Sequence, residues 1–306
     1  MGEPAPNPFV LFVRLARPWF LMGAALLYAM GVGIVRYLGT PIDWRLYILG
    51  QAWVTSLQLS THFLNEYFNT QADRENPNRT PFSGGSGMLG PGKLPRRTAL
   101  MAAYTCLAVL ASLTVLMIAN SNFAPEVYLI MGVAFLGSFF YSTPPVRLES
   151  SGYGELTTSI LVAYLVPVYA FILQTGQIHR LLTIVAFPLT LIHLAMLLTF
   201  ELPDYATDLK FGKRTLLVRL GWQRGMALHD LLIISAYLVL GVAAILGLPR
   251  FIVIAAFLTL PLGALQVWQI RRIAGGAKPN WLGLTLNATA IFGGMAYLIT
   301  LAFWTH

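Results

Sequence analysis

The chain has 306 residues, of which 57% are hydrophobic and only 10% are charged, and its mean hydropathy is +0.67. So few polar residues cannot cover the surface of a water-soluble protein of this length, which excludes an ordinary soluble enzyme. The composition predicts a protein of the lipid bilayer, and we assign its net charge of +8 to contacts with anionic headgroups and an anionic substrate, not to nucleic acid.

Apolar runs near the ~20 residues that a helix needs to cross the hydrocarbon core recur along the chain. They predict an all-α polytopic membrane protein with nine transmembrane helices, forming a single integral-membrane domain over residues 1–306. The first run lacks a cleavage pattern and is expected to be retained. The nine predicted spans are Trp19–Tyr37, Leu46–Leu64, Thr98–Ala119, Val127–Tyr141, Glu155–Gln174, Leu181–Phe200, Met226–Leu248, Phe251–Ile270 and Trp281–Trp304.

The basic residues indicate the orientation of these spans. If the amino terminus is cytoplasmic, 16 of the 20 Lys and Arg residues lie on the cytoplasmic side and four lie on the other side. Cytoplasmic loops of membrane proteins are enriched in Lys and Arg, so we expect this orientation, in the cell membrane, with His306 outside. The two longest loops, which follow the second and sixth spans, are then both cytoplasmic.

The first of these loops begins with NEYFNTQADRENPNR, in which Asn65, Asn69 and Asp73 recur every four residues. This spacing places three oxygen donors on one face of a helix that leaves the membrane. Ordinary capping at a solvated helix end is the alternative interpretation.

The second loop reads ELPDYATDLKFGKRTL and repeats the four-residue spacing with Asp204 and Asp208. Hard oxygen donors of this kind suit Mg²⁺, which combines one or two carboxylates with phosphate oxygens and water. Acidic side chains close to a membrane are costly and usually functional, so two such motifs on one side favour a site that brackets a diphosphate. A secondary transporter is the rival class, but transporters place charges near the bilayer midplane.

With these motifs the sequence resembles the UbiA-type intramembrane polyprenyltransferases, which have nine transmembrane helices and acidic motifs after helices two and six. The second motif matches that family's pattern completely, with Asp204, Asp208, Gly212, Lys213, Thr215 and Leu216. The first motif, usually Asn-Asp-x-x-Asp-x-x-x-Asp, is matched by Asn65, Glu66, Asn69 and Asp73. Asn69 therefore replaces an acidic residue, and Asn69→Asp is expected to preserve activity and to lower the magnesium requirement.

The resemblance implies a Mg²⁺-dependent transfer of a polyprenyl group from its diphosphate to an acceptor. Asn65, Asn69 and Asp73 would hold one metal ion, Asp204 and Asp208 would hold the other, and the three aspartates would be catalytic. Residues expected to bind substrate are Arg17 in ARPW, Arg79, Tyr141 and Ser142 in YSTPPVRLE, Lys210 and Lys213. The cations have a plainer alternative role in the positive-inside bias, and Tyr141 has one as an interfacial anchor.

Three segments, ARPW, the NEYF opening and the glycine-rich PFSGGSGML, look most like the menaquinone-pathway branch of this superfamily. That branch prenylates 1,4-dihydroxy-2-naphthoate, so an aromatic acceptor and menaquinone biosynthesis are expected. Other acceptors, namely 4-hydroxybenzoate, a tetrapyrrole or a lipid, remain open. We expect the glycine-rich segment to form a flexible cap over the site, because glycine lets backbone approach a ligand closely.

Overall fold

The computed structural model describes residues 7–120 and 123–306, and this part of the chain is helical, without strands. The predicted cytoplasmic amino terminus falls on residues 1–6, outside the described residues. The helices are α1 Pro8–Leu15, α2 Pro18–Tyr37, α3 Trp44–Glu75, α4 Arg96–Asn120, α5 Pro125–Ser142, α6 Gly154–Ser159, α7 Val166–Thr175, α8 Arg180–Lys210, α9 Leu216–Leu220, α10 Trp222–Ile245, α11 Arg250–Phe257, α12 Leu260–Ala274 and α13 Trp281–Thr305.

The predicted all-α membrane fold is confirmed, but the count of nine apolar spans is wrong by one. Within the described residues, eight helical segments are long and apolar enough to cross a membrane. The remaining predicted span, Leu46–Leu64, lies on α3. This helix is long enough to cross a membrane, but it carries polar side chains in the half that lies in the membrane. Several of these, including Gln58, Thr61 and His62, line an internal cavity, so the helix stays polar without exposing these groups to lipid.

Two helices are longer than the membrane requires, and both carry an acidic motif. With 32 and 31 residues, α3 and α8 extend for about 48 and 46 Å at 1.5 Å per residue, against a hydrocarbon core of about 30 Å. Asp73 lies in the last turn of α3, and Asp208 lies in the last turn of α8. Both motifs therefore lie on rigid helix, where the predicted four-residue spacing is preserved.

The centre of the bundle is α8, which packs against α10 and α13. It is the most buried span, because 72% of the residues in its most apolar stretch are buried. By contrast, α4 is 17% buried and covers the outer face of α3. On the other side α2 packs against α7 and α13. Between these groups runs the helix formed by α6, a π-helical stretch Ile160–Leu165, and α7. Such π-helical turns are frequent at functional sites, and this one lines the cavity with Leu161, Val162 and Leu165.

Candidate active site

A cavity of about 880 Å³ extends into the bundle between α2, α3, α5, α8, α13 and the α6–α7 helix. Its polar end lies where α3 and α8 carry their acidic motifs. Its inner walls are apolar and aromatic, with Trp53, Leu57, Ile130 and Leu165 among the residues that line them. The shape thus combines a charged mouth with a chamber suited to a hydrocarbon chain.

The first motif reaches the cavity with all three of its predicted ligands, Asn65, Asn69 and Asp73. The Oδ2 atom of Asp73 is buried and has no hydrogen-bond partner. Burial raises the pKa of Asp73 to about 7, although the nearby Lys213 ammonium opposes the shift. An orphaned carboxylate oxygen of this kind is costly unless a cation or a proton accompanies it.

The second motif also faces the cavity. Asp204 accepts hydrogen bonds at both oxygens, from Asn76 Nδ2 at 2.6 Å and from the backbone N–H of Gly84 at 2.9 Å. Asp208 is 7% exposed, and its Oδ1 lies 3.7 Å from Nζ of Lys213. The structure therefore brings the predicted metal ligands of α3 and α8 to one cavity, as the spacing of the motifs indicated.

The glycine-rich segment, residues 81–89, connects the two motifs. Glu66, which is 2% exposed, accepts hydrogen bonds from the backbone N–H of Ser86 at 2.6 Å and from its hydroxyl at 2.7 Å. Gly84 donates to Asp204 as described, and a Cβ on Gly85 would collide with Oδ2 of Asp73. Gly85 also has φ +71°, a conformation that other residues rarely adopt. Glycine here allows the backbone to lie directly on the acidic residues.

The predicted substrate-binding residues do not all reach the cavity. Arg17, Tyr141 and Lys213 line the cavity, whereas Ser142 is buried and donates a hydrogen bond to the cavity-lining Glu149. Arg79 lines a separate pocket of about 310 Å³, which shares Asp73 with the cavity. Lys210 lies outside both pockets, forms an ion pair with Glu75 and is two-thirds exposed. Its position near the motif in sequence does not direct its side chain inward.

Three cavity-lining carboxyl groups were absent from the predicted site: those of Glu149, Glu155 and Glu201. Glu149 accepts hydrogen bonds from the first motif, Oε2 of Glu155 is buried without a partner, and Glu201 accepts the backbone N–H of Leu217 at the start of α9. The sequence contains a signal for these three residues. The chain has only 12 acidic residues, and Glu149, Glu155 and Glu201 each adjoin a recognised motif or a predicted span.

The cavity has the chemistry of a cation site. Six carboxyl groups line it, against two cationic side chains, those of Arg17 and Lys213. Within the described residues, no three acidic, histidine or cysteine side chains are arranged to hold a metal ion unaided. The oxygen-rich donor set and the orphaned Asp73 oxygen nevertheless fit Mg²⁺, which takes few protein ligands and completes its shell with phosphate oxygens and water.

Comparison with known proteins agrees with this architecture. A 1,4-dihydroxy-2-naphthoate octaprenyltransferase of Mycobacterium tuberculosis is 26% identical over 94% of this chain and 98% of its own length. One of the same name from Bacillus subtilis is 21% identical over 81% of this chain and 78% of its own.

Among solved structures, a UbiA homologue from Archaeoglobus fulgidus bound to geranyl diphosphate and Mg²⁺ superimposes with a TM-score of 0.70, covering 96% of this chain and 98% of that one at 17% identity. The sequence profile of the UbiA prenyltransferase family matches residues 25–289, which include both acidic motifs and most of the cavity walls. The resemblance predicted from the motifs is confirmed, and the chain belongs to the UbiA prenyltransferase family.

Proposed function

We propose that this prenyltransferase transfers a polyprenyl group from its diphosphate to 1,4-dihydroxy-2-naphthoate, in menaquinone biosynthesis. The observation that carries the proposal is the single cavity in which an acidic, oxygen-rich end opens into apolar walls. A diphosphate with a long hydrocarbon tail requires both environments at once. The naphthoate acceptor is supported by the names of the two curated relatives, and an aromatic ring suits the aromatic and aliphatic walls.

In this assignment, Asn65, Asn69 and Asp73 hold one Mg²⁺ and Asp204 with Asp208 holds a second. The bound ions offset the negative charge that develops on the diphosphate as the allylic C–O bond breaks. Lys213 and Arg17 line the same end of the cavity and donate to diphosphate oxygens. Arg79 lines the adjoining pocket, which shares Asp73 with the cavity, and Lys210 pairs with Glu75, so we assign neither side chain to the diphosphate in this proposal.

The remaining residues act on the prenyl group and the acceptor. When the C–O bond breaks, its electron pair leaves with the diphosphate, and an electron-rich ring carbon of the acceptor forms the new C–C bond. That ring carbon then loses its own substituent, either a proton or the carboxyl group as CO₂, and the electron pair of the broken bond restores the aromatic ring. Tyr141 lines the cavity beside the acidic end and stabilises the allylic cation with its ring face. The apolar walls exclude water, which would otherwise capture that cation.

We assign the acidic end of the cavity to the cytoplasmic side of the cell membrane. The 16-to-4 distribution of Lys and Arg supports this orientation. The last turns of α3 and α8, with Asp73 and Asp208, then meet water-soluble metal ions and diphosphate at the cytoplasmic surface, while the apolar walls of the cavity lie within the membrane.

Purified protein in detergent, incubated with Mg²⁺, prenyl diphosphates of several chain lengths and a panel of acceptors, tests this function by mass spectrometry of the products. The panel contains 1,4-dihydroxy-2-naphthoate, 4-hydroxybenzoate, a tetrapyrrole and a lipid acceptor. We expect a prenylated naphthoate product that requires Mg²⁺ and is lost in Asp204→Asn. Preference for another acceptor would overturn the naphthoate assignment, and the absence of any prenylated product would overturn the transfer itself.

A further inference from the structure

The first acidic motif carries a neutral side chain, Asn69, between Asn65 and Asp73, and the side chain that faces Asn69 lies far away in sequence. Glu149 belongs to the short 3₁₀ turn Leu148–Ser150 after α5, and it is 6% exposed. Its Oε2 atom accepts hydrogen bonds from Asn69 Nδ2 at 2.6 Å, Asn65 Nδ2 at 2.6 Å and Ser142 Oγ at 2.9 Å. Its Oε1 atom lies 3.4 Å from a guanidinium nitrogen of Arg147.

These contacts fix how the two asparagines are oriented. A carboxylate can only accept hydrogen bonds, so each amide must turn its NH₂ group toward Glu149. The Oδ1 atoms then point away from Glu149, and no group among the described residues donates a hydrogen bond to either of them. Asn65 and Asn69 both line the cavity, so these oxygens are available to a cation there.

The charge distribution gives a second argument. An aspartate at position 69 would place a carboxylate oxygen where an amide nitrogen now lies 2.6 Å from Glu149. Two carboxylates in contact cannot both stay ionised without a cation between them. The neutral Asn69 and the acidic Glu149 therefore form a matched pair, with the negative charge on the loop after α5 instead of on α3.

We propose that Glu149 is a positioning residue of the first metal centre. It orients the amide oxygens of Asn65 and Asn69 toward the metal, and it supplies the negative charge that position 69 lacks. This inference rests on the proposed function, since it concerns the same Mg²⁺ site. It also reverses the expectation drawn from the sequence, because Asn69→Asp now adds a charge against Glu149 instead of restoring a missing one.

The first test is an exchange of partners between the two positions. We expect Asn69→Asp alone to lower turnover at least tenfold. The double variant Asn69→Asp with Glu149→Gln moves the charge to α3 and lets the introduced glutamine amide donate to it, so it should recover most of that loss. Recovery in the double variant excludes a purely structural effect of either change. If Asn69→Asp keeps full activity in the presence of Glu149, the inference is overturned.

The second test measures metal binding without turnover. Mn²⁺ replaces Mg²⁺, inorganic pyrophosphate replaces the substrate, and bound Mn²⁺ is counted by electron paramagnetic resonance on monodisperse protein. Glu149→Gln should weaken Mn²⁺ binding about tenfold, whereas the control Glu75→Gln, on the exposed end of α3, should leave it unchanged.

The outcomes separate the two proposals. Wild-type protein that binds Mn²⁺ and a Glu149→Gln variant that binds it equally well would overturn the role of Glu149 and leave the proposed function intact. Wild-type protein that binds no Mn²⁺ with pyrophosphate would overturn both. If Glu149→Gln does not fold, the Asn69→Asp variant carries the same measurement, with weakened Mn²⁺ binding expected and unchanged binding contradicting the inference.

Discussion

Replacing Asp208 by asparagine tests the second acidic motif, because it keeps the shape of the side chain and removes its charge. Asp208 is 7% exposed at the end of α8, and its nearest cation is Lys213 at 3.7 Å. Loss of one preorganised group that acts on transition-state charge typically lowers turnover by about 10²–10³-fold, which corresponds to about 2.7–4 kcal/mol. We expect a loss of that size in kcat.

The Michaelis constant should change much less. Unit charges 4 Å apart near a protein surface interact by about 4 kcal/mol, so removing the carboxylate releases Lys213 from a strong competing partner. The freed ammonium then attracts the diphosphate more strongly and offsets part of the lost metal binding. The effect should therefore be concentrated in the chemical step and not in substrate binding.

The assay measures prenylated product by mass spectrometry at saturating Mg²⁺ and varied prenyl diphosphate, on detergent-solubilised protein of verified monodispersity. Glu75→Gln is the matched control: it removes one carboxylate from the end of α3, outside the cavity, and should retain normal kinetics. If Asp208→Asn retained more than a third of wild-type turnover, the second motif would be a solvated helix end and not a metal ligand.

Three further predictions concern the glycine-rich segment, the protonation of Asp73 and the orientation in the membrane. Gly85→Ala should lower turnover at least tenfold, because its Cβ would meet Oδ2 of Asp73. The control Gly92→Ala has the same φ of +71° but open space around it and should have little effect, so equal effects of the two changes would contradict the close approach of the loop to Asp73. Raising the pH from 6 to 8 should lower the Mg²⁺ concentration needed for half-maximal activity several-fold, because Asp73 has a pKa raised to about 7 and loses its competing proton in that range. A half-maximal Mg²⁺ concentration that does not change with pH would contradict this. In a Cys106→Ser background, a membrane-impermeant maleimide should label Gln177→Cys in intact cells and Glu75→Cys only after permeabilisation, and the reverse pattern would contradict the orientation.

Much of the fold was predictable, because the bilayer imposes simple rules on sequence. Apolar runs of about 20 residues identified the helices, and the four-residue spacing of Asp204 and Asp208 placed both on one helix face. The predicted count of apolar spans was wrong at α3. Several polar residues of this helix face a cavity, and hydropathy alone does not show whether a polar residue faces a cavity or lipid. The short helix α1 was also missed, since its eight residues cannot cross a membrane.

The site was less predictable, because its decisive contacts are remote in sequence. Glu149 and Asn69 are 80 residues apart, and nothing in either local segment indicates that they touch. Side-chain direction was equally hidden: Lys210 and Lys213 are three residues apart, yet one forms an ion pair outside the cavity and the other lines it. Family resemblance identified the positions of the first motif, but only the structure shows that the asparagines donate their amide hydrogens to a carboxylate.

The central claim is that the ends of α3 and α8 together hold a metal-bound diphosphate whose prenyl tail enters the apolar part of the cavity. An electron cryomicroscopy structure of the protein in lipid nanodiscs, with Mg²⁺ and a non-reactive thiodiphosphate analogue, tests it most directly. We expect density for the diphosphate between Asp73, Asp204 and Asp208, with the tail running toward Trp53 and Leu57. Diphosphate density in the smaller pocket beside Arg79, or a tail lying outside the bundle, would contradict the account.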